Sequence, residues 1–237
     1  SEEGNIDWGL AYHAYSYPLC DPKVLNDDSA AIDDHGNYTT PEYYTKDSLD
    51  STTITMENID VLIDYMHTPE YLTRDGRVRS IILSEQGYTS NSNVYGKCEA
   101  EQAASIVYSY YKAEMNEDID AFIYFLQCDT AEASLNNDYY QFGLWGMNSD
   151  GTYHEKLAHD IFKIMDTKES LEVLENIKKI LGINDWIEVI PNFEESQFEQ
   201  FRQVNLSELE EFQNKCSLDE ATIENIENQK YTGKECV

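Results

Sequence analysis

Three times along this chain an apolar run is followed by a long polar stretch and then by a helix pattern, and that order constrains the fold more than any other feature. The first run, residues 6–15 (IDWGLAYHAY), alternates loosely and is rich in aromatics. Such a segment reads as a strand, with Asp7, Gly9, Ala11 and His13 on one face and Trp8, Leu10 and Tyr12 on the other. A polar stretch from Tyr17 to about Thr53 follows. Beyond it Met56, Ile59, Leu62, Ile63 and Met66 recur at helical spacing, with Thr55 as a start cap and Pro69 just past the end. In the second unit Val78–Ser84 centres on the continuous run Ile81-Ile82-Leu83, the pattern of a strand covered on both faces in a parallel sheet. A loop from Gln86 to Lys97 leads to a helix carrying Ala103, Ile106, Val107 and Tyr110 on one stripe. The third unit has a strand within Asp118–Gln127, a loop from Cys128 to Thr152, and a helix near 154–166 marked by Leu157, Ile161, Ile164 and Met165. Strand, loop and helix in repeating order predict an α/β fold with a parallel sheet. The long loops all follow strands, which places an active face at the strand C-terminal ends.

Beyond Asp166 the texture changes. Leu171, Leu174, Ile177 and Leu181 predict one more helix stopped by Gly182, and Trp186–Ile190 reads as a short strand before Pro191. The expected division is residues 1–166 for the three βα units, 167–193 for a terminal helix and closing segment, and 194–237 for an acidic linker. The chain opens at Ser1 and closes in strand-like text at Val237, so it reads as a piece of a longer protein.

Charge narrows the partners. With 16 Lys plus Arg against 46 Asp plus Glu the formal charge is −30. Phosphate-binding surfaces need clustered cations, so a nucleic-acid partner is not expected, nor is an anionic membrane surface. No apolar run reaches the ~20 residues of a membrane span. The five cysteines (Cys20, Cys98, Cys128, Cys216, Cys236) lack CxxC spacing, and no zinc site is expected. The histidines give the same answer: His154 and His159 are five apart, which does not place two ligands on one helix face, and His35 and His67 are isolated. Asp21, Asp27, Asp28, Asp33, Asp34, Asp47 and Asp50 crowd the first loop without the spacing of an EF-hand; a solvated acidic loop and a calcium site are both open readings.

Glu85 is the sharpest chemical candidate. It ends the buried second strand and precedes a Gln-Gly-Tyr turn, the position at which barrel enzymes carry reacting groups. Retaining glycosidases use one carboxylate as nucleophile and a second carboxyl as acid, then base. A carboxylate in a surface ion pair is the plainer reading of the same position.

Several strings together resemble one family: AYHAYSYPLCDP (11–22), MENIDVL (56–62), IILSEQGYTS (81–90), EQAASIVYSYYKA (101–113), IDAFIYFLQCDTAE (119–132) and FGLW (142–145). They are similar to a group of secreted bacterial proteins, largely of unassigned function, with a glycoside-hydrolase-like (β/α)8 barrel. The order also resembles the wider clan of retaining glycosidases whose nucleophile Glu ends strand seven. The resemblance spans about residues 4–190 and implies that the three units are strands six to eight of a TIM barrel. It implies Glu85 as the nucleophile, His13 and Tyr15 as the substrate-contacting pair, Gln86 and Tyr88 as its flanks, and Gln127 and Asp129 as cleft residues at the end of the third strand. Clan members often carry a Trp at the end of strand eight; here Leu126-Gln127-Cys128 stands there, and Trp145 is the substitute. The clan's acid/base Glu belongs to strand four, which this chain does not contain; Asp129 and Glu132 do not match that position. Residues 217–237 resemble the opening of bacterial immunoglobulin-like repeats.

The expected function is therefore retaining hydrolysis of a polysaccharide or oligosaccharide, by an extracellular or cell-surface enzyme that uses no cofactor and no metal. Its partners would be a carbohydrate, an upstream remainder of the barrel and downstream immunoglobulin-like repeats. The isolated piece is expected to be inactive and to associate. The alternative is a non-catalytic carbohydrate-binding or cell-surface barrel. The charge divides as −23 over residues 1–193 and −7 over 194–237, which suits a neutral or cationic glycan.

Overall fold

The computed structural model describes residues 6–16, 19–25, 47–90, 99–130, 141–168, 170–173 and 175–200, with 172, 173, 199 and 200 described by backbone alone. Asp27, Asp28, Asp33, Asp34, His35, Cys98, Glu132, Cys216, Cys236 and the repeat-like tail lie outside the described residues.

The chain forms a mixed α/β structure around a parallel sheet of three strands, β1 (Leu10–Tyr12), β2 (Ile81–Gln86) and β3 (Ile119–Tyr124), in the order β1-β2-β3. Leu10 pairs with Ile81 and Tyr12 with Leu83 on one side of β2; Ile81 pairs with Ile119 and Leu83 with Phe122 on the other. Parallel neighbours need a crossover, and α1 (Ile59–Met66) and α2 (Glu99–Glu114) supply the two. The βα alternation read from the sequence is thus observed for these units.

Local chemistry sets the element ends. Thr55 Oγ1 accepts from the Glu57 amide at 3.1 Å while Asn58 Oδ1 accepts from the Thr55 amide at 2.9 Å. This reciprocal cap satisfies donors that a helix start leaves orphaned, and it feeds a 3-10 turn at Met56–Asn58 into α1. At the other end of the described chain, Gly182 adopts φ +65° and closes α5 (Glu175–Leu181), the left-handed stop expected of it. A shorter helix, α4 (Ser170–Val173), precedes α5.

The core lies on one face of the sheet. Ile81 and Leu83 are fully buried, and Leu10, Tyr12, Ile119 and Phe122 pack beside them against Met56, Ile59, Ile63, Ala103, Val107 and Tyr108. Tyr111 of α2 continues this core outward against Trp186 at 4.9 Å and Phe198 at 5.0 Å between ring centres. Among the described residues the opposite face is bare: Ala11 is exposed, Ile82 and Ala121 are only half-buried, and Ile123 is 50% exposed. The two-sided burial expected of Ile81-Ile82-Leu83 is therefore one-sided here.

Two further expectations change. Trp186–Ile190, read as a strand, is a 3-10 turn at Trp186–Glu188, because the Asp185 carboxylate accepts from the Ile187 amide at 3.2 Å and the Trp186 ring is buried on Tyr111. The helix expected near 154–166 begins at Leu157 as α3 (Leu157–Ile164), because Tyr153–Glu155 form a strand, β5, antiparallel to β4 (Trp145–Met147). Among the described residues no helix is long and apolar enough to cross a membrane.

Candidate active site

Strand β2 delivers Glu85 to the C-terminal end of the sheet, next to the segment that leaves β1. A register shift between Leu83 and Gln86 breaks the strand's alternation at this point. Glu85 is left half-exposed, and Gln86 is fully buried.

Three of the expected residues meet. The Tyr15 hydroxyl donates to Glu85 Oε1 at 3.1 Å. His13 Nδ1 stands 4.0 Å from the same oxygen, with both side chains open to solvent at 52% and 36%. Between them Ala14 is fully buried, so the chain anchors on its small middle residue and presents His13 and Tyr15 outward. Burial first, and then the adjacent Glu85 charge, push the Tyr15 phenol well above its ordinary value. Tyr15 therefore remains a neutral donor over the whole physiological range, a fixed dipole aimed at the carboxylate.

An aromatic floor supports this pair. The Phe142 ring meets Tyr15 edge-on at 6.1 Å and Phe125 at 5.9 Å. Edge-to-face pairs at this separation are favourable beyond their buried area. Phe142 is 2% exposed. Gly87 makes room for it: a Cβ there would collide with the Phe125 carbonyl and press on the Phe142 ring.

The remaining expected residues sit elsewhere. Gln86 and Tyr88, expected to flank the carboxylate, are both buried on the helix side. Gln86 Nε2 reaches the Tyr88 hydroxyl at 3.4 Å, that hydroxyl bonds Ser109 of α2, and Gln102 Nε2 donates to the Tyr88 carbonyl at 2.9 Å. The side chain of Gln127 is exposed, and its carbonyl accepts from the Trp145 amide at 3.0 Å. Trp145 is half-buried, its ring 4.9 Å from that of His159. Asp129, expected to face the cleft, is buried with its carboxylate 2.8 Å from Lys156 Nζ. Desolvation raises the Asp129 carboxyl and lowers the Lys156 ammonium, partly offset by their mutual attraction.

Phe142 and Lys156 were not foreseen as part of this region. The string that holds Phe142 was visible, but nothing in it marks a ring under Tyr15. Lys156 is one base in an acidic chain, and its partner lies 27 positions earlier. Elsewhere, Glu155, His159 and Asp160 bring one ligand atom each within 4.8 Å of one another, the grouping among the described residues able to offer a metal three ligands. His154, the other half of that spacing argument, pairs instead with Glu99 at 3.6 Å.

The site is thus a half-exposed carboxylate at the C-terminal end of the parallel sheet of an α/β protein, with a neutral phenol donor and an imidazole beside it. The chain belongs to DUF5722, a family of unknown function, whose model matches residues 1–189. No curated protein and no solved structure matches it.

Proposed function

We propose that this chain carries the nucleophile half of a retaining glycoside hydrolase acting on a polysaccharide or oligosaccharide outside the cell. The observation that carries the reading is the Tyr15–Glu85–His13 cluster at the sheet's C-terminal end. In this mechanism Glu85 attacks the anomeric carbon while the glycosidic C–O bond breaks and the leaving oxygen takes a proton from the acid/base carboxyl; water deprotonated by that same group then hydrolyses the glycosyl ester and frees Glu85. Tyr15 holds one carboxylate oxygen and leaves the other to attack. His13, exposed beside it, is placed to contact a sugar hydroxyl. The bare face of the sheet supports the barrel part of the proposal, since a parallel sheet is ordinarily covered on both faces; further strands of a (β/α)8 barrel would cover it. The acid/base carboxyl would come from those strands.

A second reading, a carbohydrate-binding domain without catalysis, draws on Asp129. The Asp129 carboxylate, in the segment after β3, is committed to Lys156, so it does not serve as the second catalytic carboxyl.

Glu85→Gln in the full-length protein, assayed on a glycan panel, separates the readings. The hydrolase reading requires wild-type hydrolysis that the variant loses by a factor of at least about 10³, together with mass-spectrometric trapping of a 2-fluoroglycosyl ester on Glu85. Glycan binding with no wild-type hydrolysis would favour the second reading. Hydrolysis unchanged by Glu85→Gln would remove Glu85 from the chemistry.

A further inference from the structure

We infer that the buried Asp129–Lys156 ion pair is a positioning device for the Glu85 site, acting through Phe142 on Tyr15. The inference rests on the reading of Glu85 as the reacting carboxylate, but its geometric part stands apart from any particular reaction.

Every polar atom of the pair is used. Asp129 Oδ2 takes the Lys156 ammonium at 2.8 Å, and Oδ1 accepts from the Gly143 amide at 2.7 Å. Lys156 Nζ also donates to Ser90 Oγ at 3.0 Å and to the Gln141 carbonyl at 3.2 Å. These bonds join the segment after β2 (Ser90), the segment after β3 (Asp129), the strip 141–145 and the residue that opens α3 (Lys156).

The strip is fastened along its length. Its Gln141 carbonyl also accepts from the Ser90 amide at 3.1 Å, the Phe142 carbonyl accepts from the Tyr124 hydroxyl at 2.7 Å, and the Trp145 carbonyl accepts from the Asp129 amide at 2.8 Å. Phe142 thus sits between two residues that the ion pair grips directly, Gln141 by its carbonyl and Gly143 by its amide. Its ring is the edge on which Tyr15 rests. A hydrogen bond weakens steeply as its angle closes, so a small displacement of the strip passes to the Tyr15–Glu85 contact.

Energetics point the same way. A buried ion pair is seldom the most stable filling of its space; apolar side chains of similar volume are often equal or better. What the pair supplies that an apolar filling does not is direction: four charge-assisted bonds to atoms in four segments. Asp129, expected from the sequence to touch substrate, is placed here as a positioning residue.

The test places a fluorotyrosine at residue 15 of the full-length protein and follows its ¹⁹F resonance. Glu85→Gln calibrates the shift caused by a weakened Tyr15–Glu85 contact. Asp129→Leu combined with Lys156→Met removes both charges together, and Phe142→Leu removes the relay while keeping the pair. The positioning role requires both to move the resonance in the direction of Glu85→Gln, with Lys178→Met, which breaks the more exposed pair with Glu175, leaving it in place. A folded double variant with the wild-type resonance overturns the inference. If the double variant does not fold, Asp129→Asn decides on the same resonance. Where a glycan is hydrolysed, the double variant lowers kcat by about tenfold or more and leaves KM within about twofold. A moved resonance in a protein that hydrolyses nothing retires the hydrolase reading and keeps the positioning; hydrolysis with an unmoved resonance does the reverse.

Discussion

Tyr15 and Glu85 lie 70 positions apart and meet through one hydrogen bond of 3.1 Å, phenol to carboxylate, where β1 and β2 end side by side. Hydrogen bonds to charged groups contribute about 1.5–3 kcal/mol. Tyr15→Phe keeps the ring on Phe142 and deletes only the donor. On any glycan that the full-length protein hydrolyses, kcat/KM should fall roughly 10- to 100-fold, with a thermal midpoint close to wild type. Steady-state kinetics beside a circular-dichroism melt make the check. An unchanged kcat/KM would mean that the contact takes no part in the reaction.

Alkali should unfold this protein through its tyrosines. Tyr88, Tyr108, Tyr111 and Tyr124 all have phenols raised above their ordinary value chiefly by burial. A group raised in the folded state contributes stability that is whole below its unfolded pKa, about 10 for Tyr, and is lost as pH climbs toward the folded value. Stability should therefore decline from about pH 10 upward, and phenolate absorbance at 295 nm should appear together with unfolding. Tyr111→Phe loses its bond to Ser170 (2.9 Å) but should flatten the slope. Titration of these four phenols in a still-folded protein would contradict the burial.

Gly143 has no room for a side chain. A Cβ there would strike the Asp129 amide nitrogen and press against Cys128 and the Trp145 carbonyl, all backbone. Backbone cannot swing aside as a flexible side chain does, so Gly143→Ala should destabilise by about 1–3 kcal/mol. Gly151, where nothing lies within 4 Å, has φ +82°, and its Ala variant tests backbone strain alone, about 1 kcal/mol. Denaturant melts of the two should rank Gly143→Ala as the more damaging.

The bare side of the sheet should make this chain self-associate. Ile123 is half-exposed there, with Ile82 and Ala121 partly open, and an uncovered apolar sheet invites partners. Sedimentation velocity over a concentration series should show association of residues 1–237. Ile123→Lys should reduce it with little change in melting temperature, because the side chain has little packing to lose. A monomer at every concentration would count against an adhesive face.

How much of this was legible in the sequence follows from where each interaction is made. The sheet and its crossovers were readable because Ile81–Leu83 and the stripes at Met56–Met66 and Ala103–Tyr110 carry their burial in their own spacing. Thr55 and Gly182 were readable because capping is local. The hairpin β4–β5 was not: its strands have three residues each, too few for a period to register. Nor was the turn at Trp186, where a single Asp185 carboxylate outweighs the β-branched run that follows. At the site, the strand-end position of Glu85 and the His13-Ala14-Tyr15 string are legible, while the contact that joins them across 70 positions is made only by the fold. The surroundings of Asp129 are not legible, because its partner Lys156 is reached only through the fold. Gln86 and Tyr88 are near Glu85 in sequence, but the register shift between Leu83 and Gln86, which no local pattern announces, leaves Gln86 buried and Glu85 half-exposed.

Helix α2 has thirteen of its sixteen residues buried, including Glu101, Gln102, Ser105, Ser109 and Lys112. Such a helix has almost no outer side. Drift that an ordinary surface helix absorbs on its wet stripe has nowhere to land, since polar positions here are bonded inward: Gln102 to Tyr88, Ser105 to the Cys20 carbonyl, Lys112 to the Glu57 carbonyl. In a saturation mutagenesis library, residues 100–113 should form a nearly unbroken intolerant block, with Tyr110 its most permissive position.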